Sequence, residues 1–317
     1  MGWIGEEVEM VRAPRIWPDI YFGKPGAMTL LPWPRGGVDR PFEKNVVDFI
    51  MSSAHYIVTS SPSGVRQITL NWNALHQDNY GLLAQYWYGA MGLGPWAFAD
   101  PSVSNMLLPN QGSTTSHLYD TTGFKTSGGA AADGTLLSGT ALIQRTGAPR
   151  SLQWSFPVTA STTPILLLNA PYRNWYGYPV VQNLPYMWSC YLAPDGVVDT
   201  SITASLRLRW LDASGAFISE ASSTTTAVTT WTQLSATGTP PSNAVYGQPA
   251  VLLTGSTITT GGSLFLDSMQ FEQDSVVNPW APGSGMRAVE ILSLTDTVVF
   301  DAKWRAPITM VLRELVS

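Results

Sequence analysis

The side chains that could do chemistry are few in this sequence, and they are scattered. His55, His76 and His117 stand alone, without the His-x-x-x-His or Glu-x-x-His spacing that would bring metal ligands onto one face of a helix. Asp267 and Glu272 are the one pair of carboxylates that could be read as a glycosidase acid and base. Their separation of five places them on opposite faces of a regular extended strand, which argues against that role. Cys190 is the only cysteine, so an intrachain disulfide is impossible. It lies in an apolar-aromatic run, Tyr186 to Leu192, with no His or cation nearby in sequence to make its thiolate, and it reads as a buried inert thiol. The richest segment is Pro171-Tyr-Arg-Asn-Trp-Tyr-Gly-Tyr-Pro179. There Tyr172, Trp175, Tyr176 and Tyr178 could stack on sugar rings while Arg173 and Asn174 bond hydroxyls. The same aromatics would equally serve in a core or at a protein interface.

The elements that must position these groups are mainly strands. Only 12% of the 317 residues are charged, whereas 28 are Gly and 23 Pro, a balance that favours short strands joined by turns. The net charge of −5 includes no basic run that could neutralise phosphates by displacing counterions, which speaks against nucleic acid. No apolar stretch approaches the roughly 18 to 20 residues that span a bilayer as a helix. Glu6, Glu7 and Glu9 do not fit a secretory leader, so the chain is expected to be made and kept in the cytoplasm until released.

Length suggests two domains. In Gln67 to Trp72, Ile68, Leu70 and Trp72 alternate with polar residues, predicting a half-buried strand. A helix follows, capped by Asp78 or Asn79, with Leu82, Leu83, Tyr86, Trp87 and Ala90 on one stripe and a stop at Gly92, Gly94 and Pro95. It is the one helix expected. Residues 286–317 read as strands Val289 to Leu292, Thr297 to Phe300 and Ile308 to Leu315. So short a piece cannot bury a core alone and should complete a sheet begun near the amino terminus. The apolar segments Trp3 to Glu6 and Trp17 to Phe22 are candidate arms towards a neighbouring subunit, or edge strands.

Between these parts, residues 113–285 are rich in Ser, Thr and Gly and read as an insertion. Ser205 to Leu211, the turn Asp212 to Gly215, and Ala216 to Ser219 predict a hairpin. Further strands are expected at Ser151 to Phe156, Ile165 to Leu168, Trp188 to Leu192, Trp231 to Thr237, Ala250 to Leu253 and Ser263 to Phe271, spaced as in an antiparallel sandwich. Trp210, Trp231 and Trp280 sit at strand or strand-exit positions and are expected in its core.

The run Leu264-Phe-Leu-Asp-Ser-Met-Gln-Phe-Glu272 with Asn278-Pro-Trp-Ala-Pro-Gly283 resembles the closing strand and exit of jelly-roll carbohydrate-binding-type modules of phage tail proteins. Leu208 to Gly215 and Thr230 to Tyr246 resemble the hairpin and the Trp-led strand of the same modules, in the same order. The flanks resemble distal tail proteins of long-tailed phages and minor tail proteins of phages of actinobacteria. They do so through Gln67 to Trp72, the helix to Met91, Trp96 to Pro101, Asn105 to Asn110 and Arg305 to Leu315.

The resemblance implies a mainly β chain whose split barrel with one helix, residues 1–112 and 286–317, is interrupted by a jelly-roll β-sandwich at 113–285. It implies a structural role at the virion tail tip, with no catalysis. The barrel would build a homo-hexameric ring joining the tail tube protein to hub or tail-fibre proteins, and the module would face a host cell-surface glycan. In related modules an acid near the position of Asp267 helps hold a structural calcium ion, which takes roughly six to eight oxygen ligands. No other cofactor is implied. A tail-associated polysaccharide hydrolase and a soluble lectin are the alternatives.

Overall fold

In a computed structural model the chain is described over residues 20–34, 38–39, 46–50, 56–60, 67–100, 103–112, 120–126, 134–145, 148, 150–158, 163–170, 172, 175–199, 201–253, 260–283, 285–298 and 304–315. The amino-terminal part supplies β1 (Ile20–Lys24), β2 (Ala27–Leu31), β3 (Val38–Asp39), β4 (Val46–Ile50), β5 (Tyr56–Ser60), β6 (Gln67–Trp72), β7 (Leu75–His76), α1 (Gln77–Trp87), β8 (Trp96–Ala99) and α2 (Pro109–Gly112). The middle supplies β9 (Phe124–Thr126), β10 (Thr135–Thr140), β11 (Ser151–Ser155), β12 (Ile165–Leu168), β13 (Tyr178–Pro179) and β14 (Tyr186–Pro194). It continues with β15 (Ile202–Leu211), β16 (Phe217–Ser222), β17 (Thr226–Val228), β18 (Thr232–Gly238), β19 (Tyr246–Leu253) and β20 (Ser263–Glu272). Two long strands close the chain, β21 (Met286–Val298) and β22 (Trp304–Glu314).

The two ends of the sequence share one antiparallel sheet in the order β2-β1-β8-β21-β22-β6-β3, with β7 on β22; β4 and β5 pair separately. Alternation explains the register. Ile68, Leu70 and Trp72 of β6 stand opposite Leu312, Met310 and Ile308 of β22, and all six are buried. Each contributes about 1.5–3 kcal/mol by leaving water, so the carboxy-terminal strand is held by burial as well as by its ladder. Helix α1 covers this face with Leu83 and Tyr86, and Tyr86 meets Phe22 and Trp96 edge-on at 5.1 and 4.9 Å. Among the described residues the sheet is open, with β2 and β3 at its edges, whereas a barrel was expected.

The helix itself is shorter and less amphipathic than its stripe of apolar residues predicts. His76, not Asp78 or Asn79, caps it, its Nδ1 accepting from the Asp78 amide at 3.4 Å. Trp87 is 40% exposed and Ala90 lies in the turn beyond. A second helical turn, α2, was not anticipated.

The middle of the chain forms a β-sandwich. One sheet has the order β10-β11-β20-β14-β18 and the other β16-β15-β19-β12-β9, with β13 on β19 and β17 on β15, all pairs antiparallel. Trp154, Trp188, Trp210, Tyr186 and Phe271 fill the space between them. Across that core the Trp188 indole donates to the carbonyl of Ala250 at 3.1 Å, so a buried polar atom on one sheet is satisfied by the other.

The sandwich leaves the split sheet at Ala99 and rejoins it at Met286, and these two residues are cross-strand partners. Segment 103–112 is bonded to the closing strand of the sandwich. Met106 donates its amide to Phe271, and Asn105 makes four bonds there. Its Nδ2 donates to the carbonyls of Met269 and Ala281, and its Oδ1 accepts from Leu107 and Phe271. The split sheet is also a shared wall, for Trp96, Phe98 and Val289 face the helix while Ala97, Met286 and Ala288 join the sandwich core.

Candidate functional site

The aromatic segment does not act as a unit. Tyr172 and Trp175 are 9% and 8% exposed and touch edge-on at 4.8 Å. Tyr172 packs towards the split sheet, near Ala288 and the Arg287–Glu314 ion pair of 2.5 Å. Burial, then the Glu314 carboxylate, raises its phenol to about 12, against Arg287 and a backbone hydrogen bond at Ala288. Tyr178 is fully buried, donating to Gln111 Oε1 and accepting from the Leu108 amide at 3.1 Å, and its burial pushes the phenol well above the usual range. Tyr172 and Tyr178 join parts of the protein and present no face to a ligand, and Trp175 reaches the surface with only 8% of its area, which corrects the expectation of a four-ring platform. Arg173 and Asn174 lie outside the described residues. Tyr176 alone remains, 46% exposed.

Tyr176 borders a cleft of about 300 Å³ on the outer face of the β16-β15-β19-β12-β9 sheet, lined also by Lys125, Leu167, Asn169, Trp175, Arg209, Leu211, Gly215, Phe217 and Gln248. The pleat places these groups. In β15, Leu206, Leu208 and Trp210 turn into the core, so Arg207 and Arg209 must face outward. Gln248 stands opposite Arg209 on β19, and Lys125 opposite Leu167 on β9 and β12.

Hydrogen bonds then fix the polar floor. Arg209 donates to Gln248 Oε1 at 2.9 Å, and Gln248 Nε2 donates to Asn169 Oδ1 at 2.5 Å and to the Tyr176 carbonyl at 3.4 Å. The guanidinium lies 5.0 Å from the centre of the Phe217 ring, which is 51% exposed.

The β15–β16 turn supplies the last wall. The Asp212 carboxylate accepts from the amides of Ser214 and Ala216 at 2.8 and 2.9 Å and from the Ser214 hydroxyl at 2.7 Å, and these bonds, the hydroxyl first, hold its pKa below the usual value. Gly215 follows at φ +82°, and a β-carbon there would stand 2.4 Å from Cγ of Tyr176. An exposed ring is thus parked against a bare backbone. A second, broader depression of about 620 Å³ lies beside the cleft, lined by Thr121, Phe124, Thr126 and residues 134–136, and shares Lys125 with it.

Asp267 and Glu272 take no part in this face, and two expectations about them are corrected. Tyr191 and Met187, four positions apart on β14, stand opposite Asp267 and Glu272. The five-residue spacing therefore fits on one face. The cause is a bulge at Ser268 (φ 49°), where the pairing skips a residue. Neither acid is available for catalysis there, as each is 2% exposed and engaged. Arg145 Nε donates to Asp267 at 2.8 Å, with the Ser268 hydroxyl at 3.1 Å. Asn278 donates to both oxygens of Glu272, and Gln270 to one. A carboxylate already paired with a guanidinium does not fit a calcium cage, and among the described residues no three His, Cys, Asp or Glu side chains gather.

Trp210 is 2% exposed, within the core. Trp231 is half-buried, with an indole nitrogen that finds no hydrogen-bond partner among the described residues. Trp280 is 43% exposed, contrary to expectation, with its indole donating to the Gly112 carbonyl at 3.0 Å. His55 and His117 lie outside the described residues. The sequence reading missed Lys125, Asn169, Arg209, Phe217 and Gln248. The signal for Arg209 was the alternation of Leu206 to Trp210, whose outward positions carry both arginines.

Chemically, the cleft offers an exposed ring, a guanidinium, an ammonium and two carboxamides around an apolar patch, and no carboxylate among the described residues. Such a lining suits a polyhydroxylated ring held by stacking and hydrogen bonds.

Comparison with known protein families gives no match, and comparison with curated proteins gives none. Solved structures do give matches. The CBM22-1–GH10 modules of the Clostridium thermocellum endo-1,4-beta-D-xylanase 10B, complexed with xylohexaose, align at 14% identity over 51% of this chain and 28% of that one, with a TM-score of 0.38. The enzymatically active domain of bacteriophage CBA120 tailspike protein 4 aligns at 11% identity over 55% of this chain and 22% of that one, TM-score 0.40. The CBM22-1 xylan-binding domain of Paenibacillus barcinonensis Xyn10C aligns at 17% identity over 52% and 93%, TM-score 0.37. The chain thus spans only about a quarter of the first two structures.

Proposed function

We propose that the sandwich is a glycan-binding module, without catalytic activity, carried on the ring-building frame of a phage tail tip. The observation that carries the binding reading is the cleft itself, in which Tyr176 and Phe217 are exposed beside Arg209 and Gln248. The absence of catalysis is supported by the engagement of Asp267 and Glu272 in buried bonds away from that face.

The frame reading is supported by the way the module hangs. Its two connections leave neighbouring strands at partnered residues, Ala99 and Met286, so an insertion there leaves the sheet's order intact. Subunits of this kind would close a homo-hexameric ring by heterologous contacts, between tail tube and hub or fibre proteins. Several modules on one ring would then gain avidity on a host surface even if each binds weakly.

Two experiments test the halves separately. Mass photometry of the full chain should show six copies of 34.4 kDa, about 206 kDa; a monomer that still binds glycan would favour a soluble lectin. A pull-down on host cell-wall polysaccharide should retain the wild-type chain and release no reducing sugar, whereas released sugar would favour a hydrolase.

A further inference from the structure

Resting on the glycan-binding reading, we infer that the ligand of this cleft carries negative charge: a saccharide bearing a carboxylate or phosphate group rather than a neutral one.

The register sets out the charges. On the outer face, Lys125, Leu167, Ala250 and Arg207 form one cross-strand row, and Asn169, Gln248 and Arg209 lie two residues further along their strands. Lys125 and Arg209 are therefore about 16 Å apart at their backbones, three strand spacings across and two residues along, at opposite ends of the apolar and amide floor. The acid that stands opposite Arg209 in the ladder is Glu220, yet its carboxylate accepts from Arg207 at 2.9 Å. Arg209 instead bonds the neutral amide of Gln248 and lies over Phe217. Among the described residues neither Lys125 nor Arg209 has a carboxylate within 4 Å, and no acid lines the cleft.

Two cations with no carboxylate partner among the described residues thus flank one hollow in a chain of net charge −5. A neutral sugar would leave both charges unanswered. An anionic group at the Arg209 end would take the donors of the guanidinium that Gln248 does not use, in the paired geometry that suits carboxylate and phosphate. Lys125, solvated and flexible, would answer a second charge further along the chain.

The test uses the full-length protein on a glycan array holding uronic-acid oligosaccharides, each beside its carboxyl-reduced neutral counterpart, and phosphodiester-linked oligosaccharides beside their dephosphorylated forms. The expected result is at least about tenfold tighter binding to acidic members, weakening with added salt. In the double variant Lys125→Gln, Arg209→Gln, with unchanged melting temperature, the ratio of acidic to neutral affinity should fall to about one and the salt dependence should vanish; a retained preference would overturn the inference. Whether the carboxylate or the phosphate series binds identifies the source of the charge. Equal affinity for acidic and neutral members would overturn this inference and leave glycan binding standing. No binding to any member would overturn both. If the double variant does not fold, Arg209→Lys and Lys125→Arg in separate chains keep the charges and should keep the preference; loss of the preference in chains that keep both charges would overturn the inference.

Discussion

The Tyr176 ring lies on the backbone of Gly215, so close that a single added β-carbon would overlap it. That contact links the hairpin turn to the aromatic segment and sets the ring's angle to the cleft. Gly215→Ala is expected to cost about 1–2 kcal/mol for the left-handed backbone and, beyond that, to displace Tyr176. Gly196→Ala is the control, since it has a similar φ of +72° but nothing within 4 Å of its β-carbon. Both variants should lose comparable stability in urea titrations. Only Gly215→Ala should lose glycan binding, by about tenfold.

Asn105 ties the entry segment to the closing strand with four bonds and is fully buried. Asn105→Leu leaves two carbonyls and two amides unpaired and should cost about 3 kcal/mol or more. Amide hydrogen exchange should accelerate first at Met106, whose N–H bonds Phe271. Unchanged protection there would show that the segment is held by something other than Asn105.

Glu272 carries a testable pH signature. Burial raises its pKa above the ordinary 4.5, outweighing the bonds from Gln270 and Asn278 that favour the charged form. The folded chain therefore holds this proton to higher pH than the unfolded chain. Across the window that begins near 4.5 the folded state binds more protons, so this group's contribution to stability falls as pH rises and then levels off. Glu272→Gln should remove that fall. Denaturation midpoints measured from pH 4 to 7 should move in the variant's favour with rising pH; a constant difference would contradict the assignment.

Cys190 is fully buried, and burial, reinforced by the nearby Asp267 carboxylate, pushes its thiol well above 9.0. An aromatic disulfide reagent should label it only as fast as the chain unfolds globally. Labelling within minutes in native buffer would show that β14 and β20 separate locally.

Much of this architecture is written in local alternation. Ile68, Leu70 and Trp72 on one strand and Ile308, Met310 and Leu312 on another announce their buried faces, and Asp212 and Gly215 announce the hairpin turn. What could not be read locally depends on partners distant in sequence. The bulge at Ser268 inverts the strand parity that set Asp267 against Glu272, and no residue type signals it. The stacking segment lost Tyr172, Trp175 and Tyr178 to burial because the split sheet and segment 105–112, far away in the chain, supply their neighbours. The cleft draws on six strands or their flanks, so beyond the aromatic segment and the hairpin turn only its arginine, placed by the alternation in β15, left a local trace.

The central claim is that the outer face of the β16-β15-β19-β12-β9 sheet is where this protein holds a glycan. The most direct measurement is calorimetric titration of the best-binding oligosaccharide into wild-type chain and into Tyr176→Ala, with thermal melts run alongside. Tyr176 is half exposed, so its truncation should leave the melting temperature within a few degrees while affinity falls by about tenfold or more. Undiminished affinity in a well-folded Tyr176→Ala chain would contradict the account and move the search for a ligand to another surface.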